Sequence, residues 1–76
     1  MSVSVIEKLK NCVNEIYKSR HGANSAKARY VAEDIYYTLK DHEKASWSDL
    51  VTDIFSTKLG INDLQSEELS IIYDSF

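Results

Sequence analysis

An all-α fold, a compact small array of four helices with short connections, follows from three features of the sequence. Apolar residues recur every three or four positions from end to end, which is the stripe of an amphipathic helix and not the alternation of a strand. The 76 residues contain no proline to interrupt that pattern, and the two glycines stand where apolar series end. Polar capping residues precede each series. The best β-like run, Ser70-Ile71-Ile72-Tyr73, is short and directly follows acids suited to a helix start.

The first helix is predicted over residues 5–20. Ser4-Val5-Ile6-Glu7 has the form of a capping box, and Ile6, Leu9, Val13, Ile16 and Tyr17 follow as one stripe. Gly22 ends it, since glycine enters the left-handed conformation that closes a helix. Lys18, Arg20 and His21 place cationic character on the last turn, where the helix dipole is negative. The second helix is predicted over residues 25–40, capped by Asn24 or Ser25, with Ala28, Val31, Ala32, Ile35, Tyr36 and Leu39 facing inward.

A polar connection, Asp41 to Ala45, leads to a third helix over residues 47–59, with Ser46 as its cap and Asp49 at the third position. Trp47, Val51, Ile54, Phe55 and Leu59 form its inner stripe, with Leu50 at the margin. Gly60 ends it, and Ile61 is placed for the apolar contact that accompanies a glycine cap. The fourth helix is predicted over residues 64–75. Ser66 before Glu67 and Glu68 is a suitable cap, Asn62 or Asp63 an alternative start, and Leu69, Ile72, Tyr73 and Phe76 mark the inner face.

Length and charge narrow the function. A chain this short forms one domain and buries only about 60% of its unfolded surface, which disfavours an enclosed active site. A formal net charge of −3 argues against a surface given over to nucleic-acid phosphates. No apolar run approaches the roughly 20 residues that span a bilayer, and Met1 to Leu9 lacks the form of a signal peptide. A cytoplasmic protein without membrane partners is expected. Cys12 is the single cysteine, so an internal disulfide and a paired-cysteine metal or redox motif are excluded. It reads as a packed thiol.

The charges are unevenly distributed. Residues 1–40 hold seven Lys or Arg against four Asp or Glu, and residues 41–76 hold two against eight. That asymmetry either docks a partner of opposite sign or is satisfied where the two halves meet. At about 100° per residue, Tyr30 and Tyr37 point away from Ile35, and Ala26 and Glu33 share their face. Tyrosine supplies contact area at little rotamer cost and is enriched at interfaces. A second layer covering this helix would instead make both tyrosines secondary core.

A second constellation gathers around the first turn: Lys18, Arg20, His21, Lys27 and Arg29, beside the amides that start the second helix. These groups suit a phosphate, or else balance helix dipoles and aid solubility. A helix-turn-helix reading of the third and fourth helices fails, because the recognition helix would carry Asp63, Glu67 and Glu68 and no cation. Cys12, His21 and His42 form no nucleophile-base motif. His42 between Asp41 and Glu43 reads as a loop residue, since consecutive ligands splay apart, and Trp47 as a core anchor with ligand stacking as the alternative. No catalytic residue, metal site or cofactor is expected. The expected role is a non-catalytic protein-protein interaction module: a small regulator, inhibitor or adaptor. It would bind another protein, or itself as a homodimer, through Ala26, Tyr30, Glu33 and Tyr37 and the acidic C-terminal half. The alternative is a phosphate, nucleotide or nucleic-acid binding protein using the basic first loop.

Overall fold

The computed structural model describes residues 4–76 and contains four α-helices with no strand among them. The signal-peptide reading of Met1 to Leu9 therefore falls partly outside the described residues. Helix α1 (Val5–His21) opens as its sequence implies, with the Glu7 amide donating to Ser4 Oγ at 3.2 Å. Gly22 closes it at φ 76°, its amide donating to the Lys18 carbonyl. Helix α2 (Ala26–Lys40) has Ser25 as its cap, the Ala28 amide donating to Ser25 Oγ. Asn24, the other candidate cap, instead accepts from the Asn14 side chain.

The entry to helix α3 (Trp47–Ile54) corrects the expectation. Ser46 has helical backbone angles and makes no capping bond, because a 3-10 turn (Lys44–Ser46) already leads the chain in. The far end also departs from a plain α-helix. Phe55–Leu59 form a π-helical turn, and the Phe55 carbonyl accepts from the amides of both Gly60 and Ile61. Gly60 stands at φ 68°, and Ile61 is buried as expected of the residue after a glycine cap.

Helix α4 (Ser66–Asp74) starts later than residue 64, and its cap is Gln65, not Ser66. The Gln65 amide donates to Glu68 Oε1 at 2.8 Å, so the acid assigned to the first turn closes that turn directly. Neither Asn62 nor Asp63 begins an earlier helical turn.

Cross-links between helices give their order. Asn14, Asn11, Lys10 and Glu7 on α1 meet Ser25, Arg29 and Glu33 on α2, so these two run in opposite senses and form the main helix pair. Asp34 pairs with Lys58, and Trp47 Nε1 donates to the Leu39 carbonyl, which sets α3 against α2 in the opposite sense. Arg20 reaches Glu68, and Cys12 meets Ser75, which does the same for α4 against α1.

Leu9, Val13, Ile16, Ala28, Val31, Ala32, Ile35, Leu39, Trp47, Val51, Phe55, Leu59, Ile61 and Ile72 make one core. Ala28 and Ala32 are fully buried in it. Two inner-face assignments do not hold. Ile6 is half-buried and outside the core cluster, and Phe76 is 41% exposed because α4 ends before reaching it. No helix among the described residues is long and apolar enough to cross a membrane.

Candidate functional site

The outward face of α2 begins as a consequence of the inward one. Ala28, Val31, Ala32, Ile35 and Leu39 are all buried, so the residues about half a turn away must face outward. Tyr30 is 75% exposed and Tyr37 55% exposed, which decides against their being secondary core. Ala26 is exposed as well. Glu33 is half-buried because Lys10 of α1 reaches across to it at 3.2 Å.

These residues divide into two neighbourhoods. Ala26, Tyr30 and Glu33 line a shallow open groove of about 360 Å³ together with Arg29 and Lys10. Its polar walls are balanced, since Glu7 lies 3.8 Å from Lys10 and 3.4 Å from Arg29. Tyr37, two turns further on, belongs to an aromatic strip. Its ring stands edge-on to Tyr36 at 5.1 Å, and Tyr36 stacks on Phe76 at 6.0 Å. Phe76 then meets Trp47 at 4.8 Å, and Trp47 meets Tyr73 at 5.8 Å. Lys40 lies over the Tyr36 and Tyr37 rings and Lys44 over Trp47.

The five cations of the first turn are not brought together. Arg20 turns toward α4, where Nη2 donates to Glu68 Oε1 at 2.7 Å and Nη1 to Asp63 Oδ1 at 2.6 Å. Those carboxylates hold the guanidinium above its ordinary pKa. The Arg20 hydrogen bond in turn holds Asp63 below the ordinary carboxylate range. Partial burial pushes Glu68 upward, but the Arg20 and Gln65 donors outweigh it and its pKa lies below normal. Arg29 points the other way and donates to Asn11 Oδ1 and Glu7 Oε2. His21 packs on Tyr17 at 4.3 Å, while Lys18 and Lys27 are exposed. The first loop is instead held by Asn14, whose Oδ1 accepts from the Ser25 amide and whose Nδ2 donates to Asn24.

Burial pushes the Cys12 thiol up to about 11, the Ser75 hydroxyl partly countering it, so the thiolate is scarce near neutral pH. His42 Nδ1 lies 2.7 Å from the Thr38 carbonyl. Trp47 is 8% exposed, and its Nε1 donates to the carbonyls of Leu39 and His42 at 3.0 Å each, tying α3 to the end of α2. Part of the charge asymmetry is spent between the halves, in Arg20 with Asp63 and Glu68, whereas Lys58 with Asp34 pairs the minority charge of each half. Asp41, Glu43, Asp49, Asp53, Glu67 and Asp74 are exposed and meet no cation within 4 Å among the described residues.

Three features of the surface have no mark in the local sequence. Lys10 joins the groove because α1 packs beside α2, and its own helix pattern says only that it is polar. Phe76, just past the end of α4, joins Tyr36 to Trp47 in the aromatic strip. Asn14 organises the first loop from the middle of α1. Each depends on a contact between residues distant in sequence, which periodicity does not report. No protein-family model, curated protein or solved structure matches the chain.

Proposed function

We propose that this protein is a non-catalytic protein-binding module, a small regulator, inhibitor or adaptor, and that it engages its partner through the outer face of α2. The observation that carries the reading is the paired exposure of Tyr30 and Tyr37 on a helix whose opposite side is fully packed. Neither ring is needed to complete the core, yet both present large rigid apolar area with a hydroxyl at its edge. The six exposed carboxylates without a close cation give the C-terminal half a negative field that suits a basic partner surface. Phosphate capture at the first loop has less support, because its cations do not converge: Arg20 turns to Asp63 and Glu68, and Arg29 turns away to Glu7 and Asn11 of α1.

The test is affinity capture from native lysate with wild type and with the Tyr30→Ser/Tyr37→Ser variant. Far-UV circular dichroism of the variant should match wild type, since both side chains lie outside the core cluster. A protein retained by wild type and lost from the variant is the expected outcome. Retention unchanged in the variant, or retention of nucleic acid by both, overturns the reading.

A further inference from the structure

The charge pattern around Tyr30 points to one occupant for this face: we infer that it pairs with a second copy of the chain, α2 lying antiparallel on α2 about a two-fold axis near residues 30–31. This rests on the reading of α2 as a binding face and names the partner. In such an isologous pairing the axis lies in the interface and crosses the helices, so each edge of α2 meets the same edge of the other copy in reversed direction. With Ile35 pointing inward, about 100° per residue puts Lys27 and Asp34 on one edge and Arg29 and Glu33 on the other. Tyr30 and Tyr37 run between them.

Both edges select the same register. Crossing near residues 30–31 brings Lys27 opposite Asp34 of the second copy along one edge, and Arg29 opposite Glu33 along the other. Symmetry repeats each, for four attractive pairings. Moving the crossing by about one turn, so that Tyr30 faces Tyr37, sets Asp34 against Asp34 and Arg29 against Lys40, a like-charge arrangement that costs affinity. The favoured register also places the two Tyr30 rings side by side at the axis. The groove there, lined by Lys10, Ala26, Arg29, Tyr30 and Glu33, is open, and the small Ala26 side chain leaves room for a ring. Glu7 beside Arg29, Lys10 beside Glu33 and Lys58 beside Asp34 are charges already present on the two edges, so each incoming group completes an alternating row.

Sedimentation equilibrium on the full chain tests this. Wild type should move from 8.7 kDa toward twice that mass as its concentration rises from roughly 1 μM to 500 μM, and added salt should shift the transition upward. A chain carrying Lys27→Glu and Arg29→Glu should be monomeric, and so should one carrying Glu33→Lys and Asp34→Lys. Mixed in equal amounts they should form a 1:1 heterodimer, because all four pairings then become attractive. Tyr30→Ala should weaken the wild-type dimer by at least about tenfold in Kd. Helical content by circular dichroism identifies any variant that fails to fold, and Tyr30→Ala then carries the test together with the wild-type titration. A wild type that stays at 8.7 kDa overturns the inference, as does an association indifferent to Tyr30, or either charge variant dimerising alone as wild type does. A monomeric wild type that still retains another protein through Tyr30 and Tyr37 leaves the binding reading standing, so the two failures are distinguishable.

Discussion

Replacing Trp47 tests how the end of α2 is held. The indole is 8% exposed and sits between Tyr73 and Phe76, and its single N–H is shared by the Leu39 and His42 carbonyls. Leu39 O keeps a second donor, the His42 amide at 3.2 Å, so the His42 carbonyl is the one that loses a partner. In Trp47→Phe the lost hydrogen bond contributes about 1 kcal/mol. The smaller ring removes about 40 Å² of buried apolar area, about 1 kcal/mol more, and incomplete collapse of the gap adds up to about 1 kcal/mol.

A loss of about 2–3 kcal/mol is expected, which for a domain this size lowers Tm by about 10–20 °C. Urea unfolding followed by circular dichroism at one fixed protein concentration reads it, since association would otherwise add to apparent stability. Benzothienylalanine at position 47 keeps the bicyclic shape without the N–H and should lose only about 1 kcal/mol. A Phe variant within about 0.5 kcal/mol of wild type would refute the packing argument, and a benzothienyl variant equal to wild type would refute the hydrogen-bond argument.

The Tyr73 hydroxyl is buried without a hydrogen-bond partner among the described residues, so Tyr73→Phe should leave stability unchanged or raise it by up to about 1 kcal/mol, and a loss above that in urea titration would show a hidden partner. Asp63 and Glu68 both titrate below their ordinary range in the folded state, so their contribution is present above about pH 5 and drains away as pH falls through and below that range. The difference in Tm between wild type and Arg20→Gln should therefore be largest near neutral pH and shrink toward about pH 2; a constant difference would contradict the ion-pair origin. Burial of Cys12 predicts alkylation several-fold slower than for an unfolded control at about pH 8, and equal rates would place the thiol at the surface.

Local rules made α1 legible to within one residue at its C-terminus. Ser4 bonds three residues ahead and Gly22 four residues back, so both caps are written in the sequence they close. The same logic misplaces the cap of α3, because the turn through Lys44–Ser46 is shaped by Trp47 reaching back to Leu39 and His42. Gln65 as the α4 cap also escapes a residue ranking that prefers serine, since Glu68 supplies the bond from three residues on. On the outer face of α2, the outward direction of Tyr30 and Tyr37 followed from periodicity alone. Their separation into a groove and an aromatic strip did not, because Lys10 arrives from α1 and Phe76 from the chain just past α4.

The amino-acid sequence by itself determined that the chain is all-α with four helices, most of the residues that face inward, and that Tyr30 and Tyr37 point away from Ile35. Those properties depend on spacing within one helix, where 3.6 residues per turn relates every side chain to its neighbours. Tertiary structure alone decided that no second layer covers the two tyrosines, and where the cations go. Arg20 and Arg29 lie nine positions apart beside one loop, yet one reaches Asp63 and Glu68 and the other Glu7 and Asn11. A long flexible side chain takes the carboxylate that packing brings within reach, and packing is a relation between helices that no single stretch of sequence contains.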